Sequence, residues 1–203
     1  MTRDAVGSGR ASGFPAWPRA ERLATARYLL EPLTVEHADE MVAVLASPDL
    51  YTFTGGEPPG RGVLRERYTR QVVGCSPAGD AGWLNWLVRA RGSAVGYVQA
   101  TLTRPDGPDG PDGTDGAAPV TTAELAWLVS PDAQGGGVAT EAASAVVDWL
   151  AGRGVEQVCA AVHPDHHASA GVARRLGLVA TGVMVEGEQL WRGNLADLTG
   201  RHA

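Results

Sequence analysis

The chain has 203 residues, 44% of them hydrophobic, and a formal net charge of −6; that length fits one domain, perhaps with tails, and would be cramped for two. All 17 basic residues are arginine, which excludes lysine Schiff bases, lysine general bases and phosphate loops built on Gly-Lys-Thr/Ser. The acidic balance and the lack of a long basic run argue against nucleic acid or an anionic membrane as partner, and favour a cationic small substrate such as an amine.

Residues 1–22, rich in Gly, Ala, Pro and Arg, have no periodicity and read as a flexible N-terminal tail, from which Phe14 and Trp17 could still dock on a surface. Met1–Arg10 has no apolar stretch after its charges, so no secretory signal is expected. No apolar run approaches the ~18 residues of a spanning helix, and a cytoplasmic location is expected. The domain is expected over residues 23–195, with 196–203 a C-terminal tail. It opens with a strand over Tyr28–Leu33, then a helix capped by Thr34 with Met41, Val42 and Leu45 on one face. A Gly/Pro loop, Gly55–Gly60, precedes an arginine-rich helix ending near Val73. Trp83–Val88 and Val95–Leu102 read as antiparallel strands joined through Arg91-Gly92-Ser93. Trp83 and Trp86, three apart, face opposite sides of their strand, so at least one belongs to the core.

Residues 104–119 repeat Asp-Gly four times. The spacing lacks the ligands of a calcium loop, so the insert reads as a flexible hairpin extension. Beyond it, Thr121–Val129 reads as a strand and Val138–Leu150 as a helix, with Ala139, Ala142, Ala143, Val146, Val147 and Leu150 at helical spacing. Val155–Val162 is a buried strand in which Cys159 is a small core residue. A short helix opens at Pro164-Asp165 and runs to Leu176, and two strands follow near Val179–Val185 and Gln189–Arg192. The fold class is α/β, an α+β mixed sheet. Cys75 and Cys159 form no redox or zinc pair, and a reducing compartment fits.

The segment Gln134-Gly135-Gly136-Gly137-Val138-Ala139-Thr140 joins a strand to a helix. Three glycines clear side chains from backbone amides, and a helix N-terminus adds unpaired N–H groups and about half a positive charge. A diphosphate cradle and a purely structural turn both remain open on the glycines alone. Thr140 stands where a dinucleotide fingerprint needs its last glycine, and a lysine-based nucleotide loop is excluded, which leaves coenzyme A as the diphosphate.

Here the sequence resembles the GNAT superfamily of acyl-CoA-dependent N-acyltransferases, and most of all its ribosomal-protein-alanine (Rim-type) branch. Gln134, Gly137 and Ala139 match the pyrophosphate motif Gln/Arg-x-x-Gly-x-Gly/Ala. Pro131 through Ala142 match the branch's Pro-x-x-Gln-Gly-x-Gly-x-Ala-Thr-Glu-Ala. Pro164–Ser169 with Leu176-Gly177-Leu178 correspond to a later Pro-x-Asn-x-x-Ser…Leu-Gly-Phe motif. Gly96-Tyr97 and Gly187-Glu188…Trp191 also fit. The resemblance implies a central, mostly antiparallel sheet with a splayed strand pair, flanked by helices. It implies acetyl-CoA as co-substrate and no metal. The acceptor is expected to be a primary amine: a small metabolite, an aminoglycoside-like compound or a peptide N-terminus. A homodimer is common in the family.

Carried over residue by residue, Trp127, Leu128 and Val129 would contact the pantetheine, and Gln134, Gly135, Gly136, Gly137, Val138, Ala139 and Thr140 would hold the diphosphate. His166 replaces the family asparagine on the pantetheine arm. Ala173 stands where many relatives outside the branch carry a thiolate-protonating tyrosine. Ser169 matches the family serine near the thiol and is a candidate proton donor; its competing reading is a helix-cap hydroxyl. Glu124, in an otherwise apolar strand, is the candidate base, because burial would raise its pKa; the competing reading is pairing with arginine or plain solvation. Glu57 is a candidate for receiving a cationic acceptor. His163, His166 and His167 match no common zinc spacing. A non-catalytic acyl-CoA-binding regulatory module is the alternative function.

Overall fold

The computed structural model describes residues 16–104 and 120–199. Phe14 and all of the Asp-Gly insert except Arg104 lie outside the described residues. In chain order the elements are β1 (Leu23–Ala24), β2 (Tyr28–Pro32), α1 (Ala38–Val44), α2 (Arg61–Gln71), β3 (Ala81–Ala90), β4 (Ser93–Thr103), β5 (Thr122–Val129), α3 (Val138–Ala151), β6 (Gln157–Val162), α4 (His167–Arg175), β7 (Val179–Val185), β8 (Glu188–Asn194) and α5 (Leu195–Thr199). The strands form one sheet in the order β1-β2-β3-β4-β5-β6-β8-β7. Every neighbouring pair is antiparallel except β5 and β6. This is the mixed sheet flanked by helices that the resemblance implies.

Period-2 alternation assigns each strand residue to one of two sheet faces, and a separate core lies on each. Leu84, Trp86 and Val88 of β3, Val98, Ala100 and Leu102 of β4, and Ala123 and Leu125 of β5 pack beneath α3. That helix buries Ala142, Ala143, Val146, Val147 and Leu150 of the stripe its spacing predicts, and Val138 and Trp149 besides, whereas Ala139 is only half-buried. On the opposite face, Leu87 meets Ala38, Met41 and Val44 of α1 and Leu64 and Tyr68 of α2. Each large apolar side chain taken out of water here stabilises the fold by roughly 1.5–3 kcal/mol. Trp86 is the core member of its pair, fully buried and edge-on to Trp149 at 5.4 Å, whereas Trp83 is only half-buried. The β3–β4 hairpin closes through Arg91 and Gly92, both at positive φ (50° and 88°), the two-residue turn whose twist matches the strands.

Three expectations change. The N-terminal residues from 16 onward are packed: Trp17 Nε1 donates to the Gly79 carbonyl at 3.0 Å, and Trp86 Nε1 donates to the Glu21 carbonyl at 2.7 Å. The Glu21 carboxylate pairs with Arg153 at 2.6 Å. Tertiary partners, invisible to local periodicity, hold this segment down. At the other end, α5 occupies part of the expected tail and buries Leu198. Finally, Thr34 does not cap α1. Its N–H donates to His37 Nδ1 at 3.1 Å, and two tight turns, Ala38 N–H to Val35 O and Asp39 N–H to Glu36 O, carry the chain to a helix that starts at Ala38.

Candidate active site

The parallel contact between β5 and β6 is short. Thr122, Ala123 and Glu124 pair with Gln157, Val158 and Cys159, and there the pairing stops. Beyond it β5 continues only against β4, from Leu125↔Ala100 to Val129↔Gly96, while Ala160, Ala161 and Val162 of β6 continue only against β8. The two strands form a fork, closed at Glu124 and Cys159 and open at Val129 and Val162. Past Glu124 the facing edges have no strand partner among the described residues, so their backbone polar groups are available to an extended ligand. Trp127, Leu128 and Val129 form one arm. Gly96 permits the tight seating of that arm, since a Cβ there would overlap the Leu128 carbonyl oxygen.

The open end of the β5 arm leads through a single 3-10 turn, Pro131–Ala133, into the glycine loop and α3. Gly135 and Gly137 stand at φ +77° and +82°, and Gly137 is the N-cap of α3 with no side-chain cap. Among the described residues, the N–H groups of Gly135, Gly136, Gly137, Val138, Ala139 and Thr140 donate to no protein acceptor; the first bonded donor is Glu141 N–H, to Gly137 O at 3.0 Å. A run of unpaired amides at an uncapped helix start fits a diphosphate. The Gln134 side chain contributes otherwise than a direct anion contact: its Nε2 donates to the Val129 carbonyl at 2.9 Å and ties the loop to the strand. Val138 points its side chain into the core and offers only its N–H.

A second layer, not foreseen from the sequence, supports the loop. Arg27 donates to the Gly136 carbonyl at 2.9 Å and pairs with Glu141 at 2.7 Å. Glu141 also accepts from Thr25 Oγ1 at 2.6 Å and from the Arg27 N–H at 3.0 Å. Burial pushes the Glu141 carboxyl up, but these hydrogen bonds from Thr25 and Arg27 outweigh it and hold it below its ordinary value. Glu141 is thus fixed as an anion that orients a guanidinium over the loop.

The other arm leaves β6 at His163. His166 caps α4, its Nδ1 accepting the Ser169 N–H at 3.5 Å. The cap is therefore the imidazole, and the Ser169 hydroxyl has no hydrogen-bond partner among the described residues. Burial, and next the neighbouring His163, hold the His166 pKa below its usual value, so the ring is neutral and its Nδ1 lone pair is available for the cap. Phe53, unmarked in the sequence by any motif, stacks on His166 at 4.5 Å and lies 5.3 Å from His163. It brings the loop after α1 onto this arm.

Glu124 departs from its expected setting. Its side chain is exposed, not buried, because it faces away from the α3 core that holds Ala123 and Leu125. The burial on which its choice as base rested is absent. Its location is still particular: the register aligns Thr101, Glu124, Cys159 and Arg192 across β4, β5, β6 and β8. Burial, then the Glu124 charge, push the Cys159 thiol up to about 11, so it is inert. Glu124 marks the closed end of the fork.

The family model described as acetyltransferase (GNAT) domain matches residues 27–179. No curated protein sequence matches the chain. Among solved structures, a GNAT-family acetyltransferase from Bacillus anthracis is similar at 14% identity and a TM-score of 0.65, covering 87% of this chain and 99% of that one. The GNAT domain of S. lividans PAT is similar at 22% identity and a TM-score of 0.61, covering 82% and 90%. RimJ of Mycobacterium smegmatis, in complex with CoA-disulfide, is similar at 17% identity and a TM-score of 0.64, covering 84% and 83%. At these identities the similarity is one of fold.

Proposed function

Because this chain belongs to the GNAT acetyltransferase family, we propose that it transfers an acetyl group from acetyl-CoA to a primary amine of a small molecule or peptide, as a member of the Rim-type branch. The observation that carries the reading is the fork between β5 and β6 leading directly to a glycine loop whose amides have no protein acceptor. Acetyl-CoA, when bound, supplies the thioester carbonyl that an amine attacks, with release of the CoA thiol.

The residues of the chain divide the remaining tasks. The amides from Gly135 to Thr140 hold the diphosphate, with Arg27 adding positive charge beside them. The free edge of Trp127, Leu128 and Val129 takes the pantetheine. His166 stands on the other arm at the start of α4, its Nδ1 taken up by the cap and its Nε2 left for the pantetheine. Glu124, exposed and without a hydrogen bond or ion pair among the described residues, removes the proton that the amine nitrogen loses as the C–N bond forms. Ser169, its hydroxyl free, gives a proton to the sulfur as the C–S bond breaks. The proton count balances: one leaves nitrogen, one reaches sulfur.

The test has two stages. Acetyl-CoA and CoA should raise the melting temperature where NAD and ATP do not, since a ligand at about 100 times its Kd adds roughly 2.7 kcal/mol. Thiol release with amine acceptors should then fall roughly 100-fold in kcat in Glu124→Gln, with acetyl-CoA affinity retained. Unchanged turnover in that variant removes Glu124 from the mechanism; absence of any acetyl-CoA shift removes the function.

A further inference from the structure

A small cleft of about 50 Å³ lies between α2 and strands β3 and β4, on the sheet face that carries Glu124. Polar groups set into it are costly to the free protein. Asn85 is buried, and its Oδ1 accepts from Gln99 Nε2 at 2.6 Å. Gln71 Oε1 is buried without a hydrogen-bond partner among the described residues. An orphaned acceptor in a native core marks a missing partner group. At the rim stands Arg67. Of the four arginines of α2, Arg61 and Arg65 pair with Asp39 and Arg70 pairs with Glu66, while Arg67 has no carboxylate partner among the described residues. It sits near enough to the phenols of Tyr51, Tyr68 and Tyr97 to oppose the upward push that burial gives them.

The cleft adjoins the reaction centre. Tyr97, on its wall, is the register partner of Leu128 on the fork arm, and Gln99 stands two residues from Thr101, the register partner of Glu124. One face therefore has a carboxylate at the fork and an unpaired guanidinium across the cleft. A molecule bridging them has its amine end at Glu124 and its anionic end at Arg67.

We propose that this cleft is the acceptor-specificity subsite, and that the acceptor is an amine that also carries an anionic oxygen group, carboxylate or phosphate, held by Arg67, with an N–H or O–H donor reaching Gln71 Oε1. The inference rests on the acetyltransferase reading and names its substrate class. Both signs of charge are used, so a plain polyamine leaves Arg67 facing a cation. The cleft's volume takes a group of a few atoms, since roughly 10–15 Å³ of such volume holds one water.

The experiment uses the full chain and first establishes acetyl-CoA binding by calorimetry. Thiol release is then compared for matched pairs: amino acids against their decarboxylated amines, and phosphoethanolamine against ethanolamine. The anionic member is expected to win by about 10- to 100-fold in kcat/KM, as expected for a charged hydrogen bond, and the two pair types tell carboxylate from phosphate. Arg67→Gln should abolish that preference and leave the acetyl-CoA Kd unchanged. Gln71→Leu should raise the acceptor KM while raising the melting temperature, since it removes the orphaned acceptor; a purely structural glutamine would not separate the two. Equal use of both members, retained preference in Arg67→Gln, or no turnover of any pair by protein that binds acetyl-CoA each overturns the proposal. Failure to bind acetyl-CoA instead overturns the reading beneath it.

Discussion

The two regions to which function is assigned above, the cofactor loop and the acceptor cleft, are made from different parts of the chain. The proposed cofactor region, from β5 through the glycine loop into α3, would work through the main chain: strand edges and helix-start amides that carry no side-chain signature of their own. The proposed acceptor region, the cleft between α2 and the opposite sheet face, would work through side chains (Arg67, Gln71, Asn85 and Gln99) from elements far apart in sequence. A main-chain site requires the absence of side chains, which leaves a mark in consecutive residues. A side-chain site requires a tertiary meeting, which leaves almost none.

Substitutions can break or sharpen that contrast. The largest effect is expected at Gly96, where the two regions share a wall. Gly96→Ala sets a methyl against the Leu128 carbonyl and should cost about 3 kcal/mol or more of unfolding free energy, by denaturant titration, because backbone cannot step aside as a side-chain tip can. Gly137→Val should strike the cofactor region alone. A β-branched residue at φ +82° is strained, and its Cβ meets Arg27 Nη2 at 3.1 Å; acetyl-CoA affinity should fall roughly 100-fold with acceptor preference intact. Arg27→Ala removes the tether to Gly136 and the partner of Glu141. Because that guanidinium is half exposed, a loss of only about three- to tenfold in CoA affinity is expected by calorimetry. If the loss matches that of Gly137→Val, the side-chain layer governs the loop and the contrast fails.

The smallest effect is a pH slope. The folded His166 pKa lies below its unfolded value, so as pH falls below about 6.5 the unfolded chain takes up a proton the folded one resists. Stability is full above that pH and declines beneath it, as protonation also removes the Nδ1 acceptor of the α4 cap. Asparagine caps helices without titrating. Melting curves at pH 5.5 and 7.5 should therefore differ less in His166→Asn than in the parent, with a residual slope from His37, also depressed by burial.

The amide pair in the acceptor cleft did leave a faint signal. Asn85 and Gln99 interrupt two largely apolar strands, Trp83–Val88 and Val95–Leu102, and they are register partners. Phe53 left none, since one aromatic just before a Gly/Pro loop gives no period. Arg27 and Glu141 lie 114 residues apart and meet only because β2 and α3 pack on the same sheet. The Glu124 expectation failed for a related reason. An apolar neighbourhood in sequence implies burial only if both sheet faces are covered, and at Glu124 the second face is open.

What the residues determined by themselves was local and periodic. The α3 stripe, the strand alternation, the hairpin turn and the glycine loop each follow from spacing and from backbone sterics, which act within a few residues. What only the tertiary structure decided was every relation between distant segments: the position where β5 and β6 part, the anchoring of residues 16–22, the imidazole cap beside Ser169, and the orphaned Gln71 beneath an unpaired Arg67. Those relations depend on which faces the helices cover, and that choice is made by the packing of the whole chain.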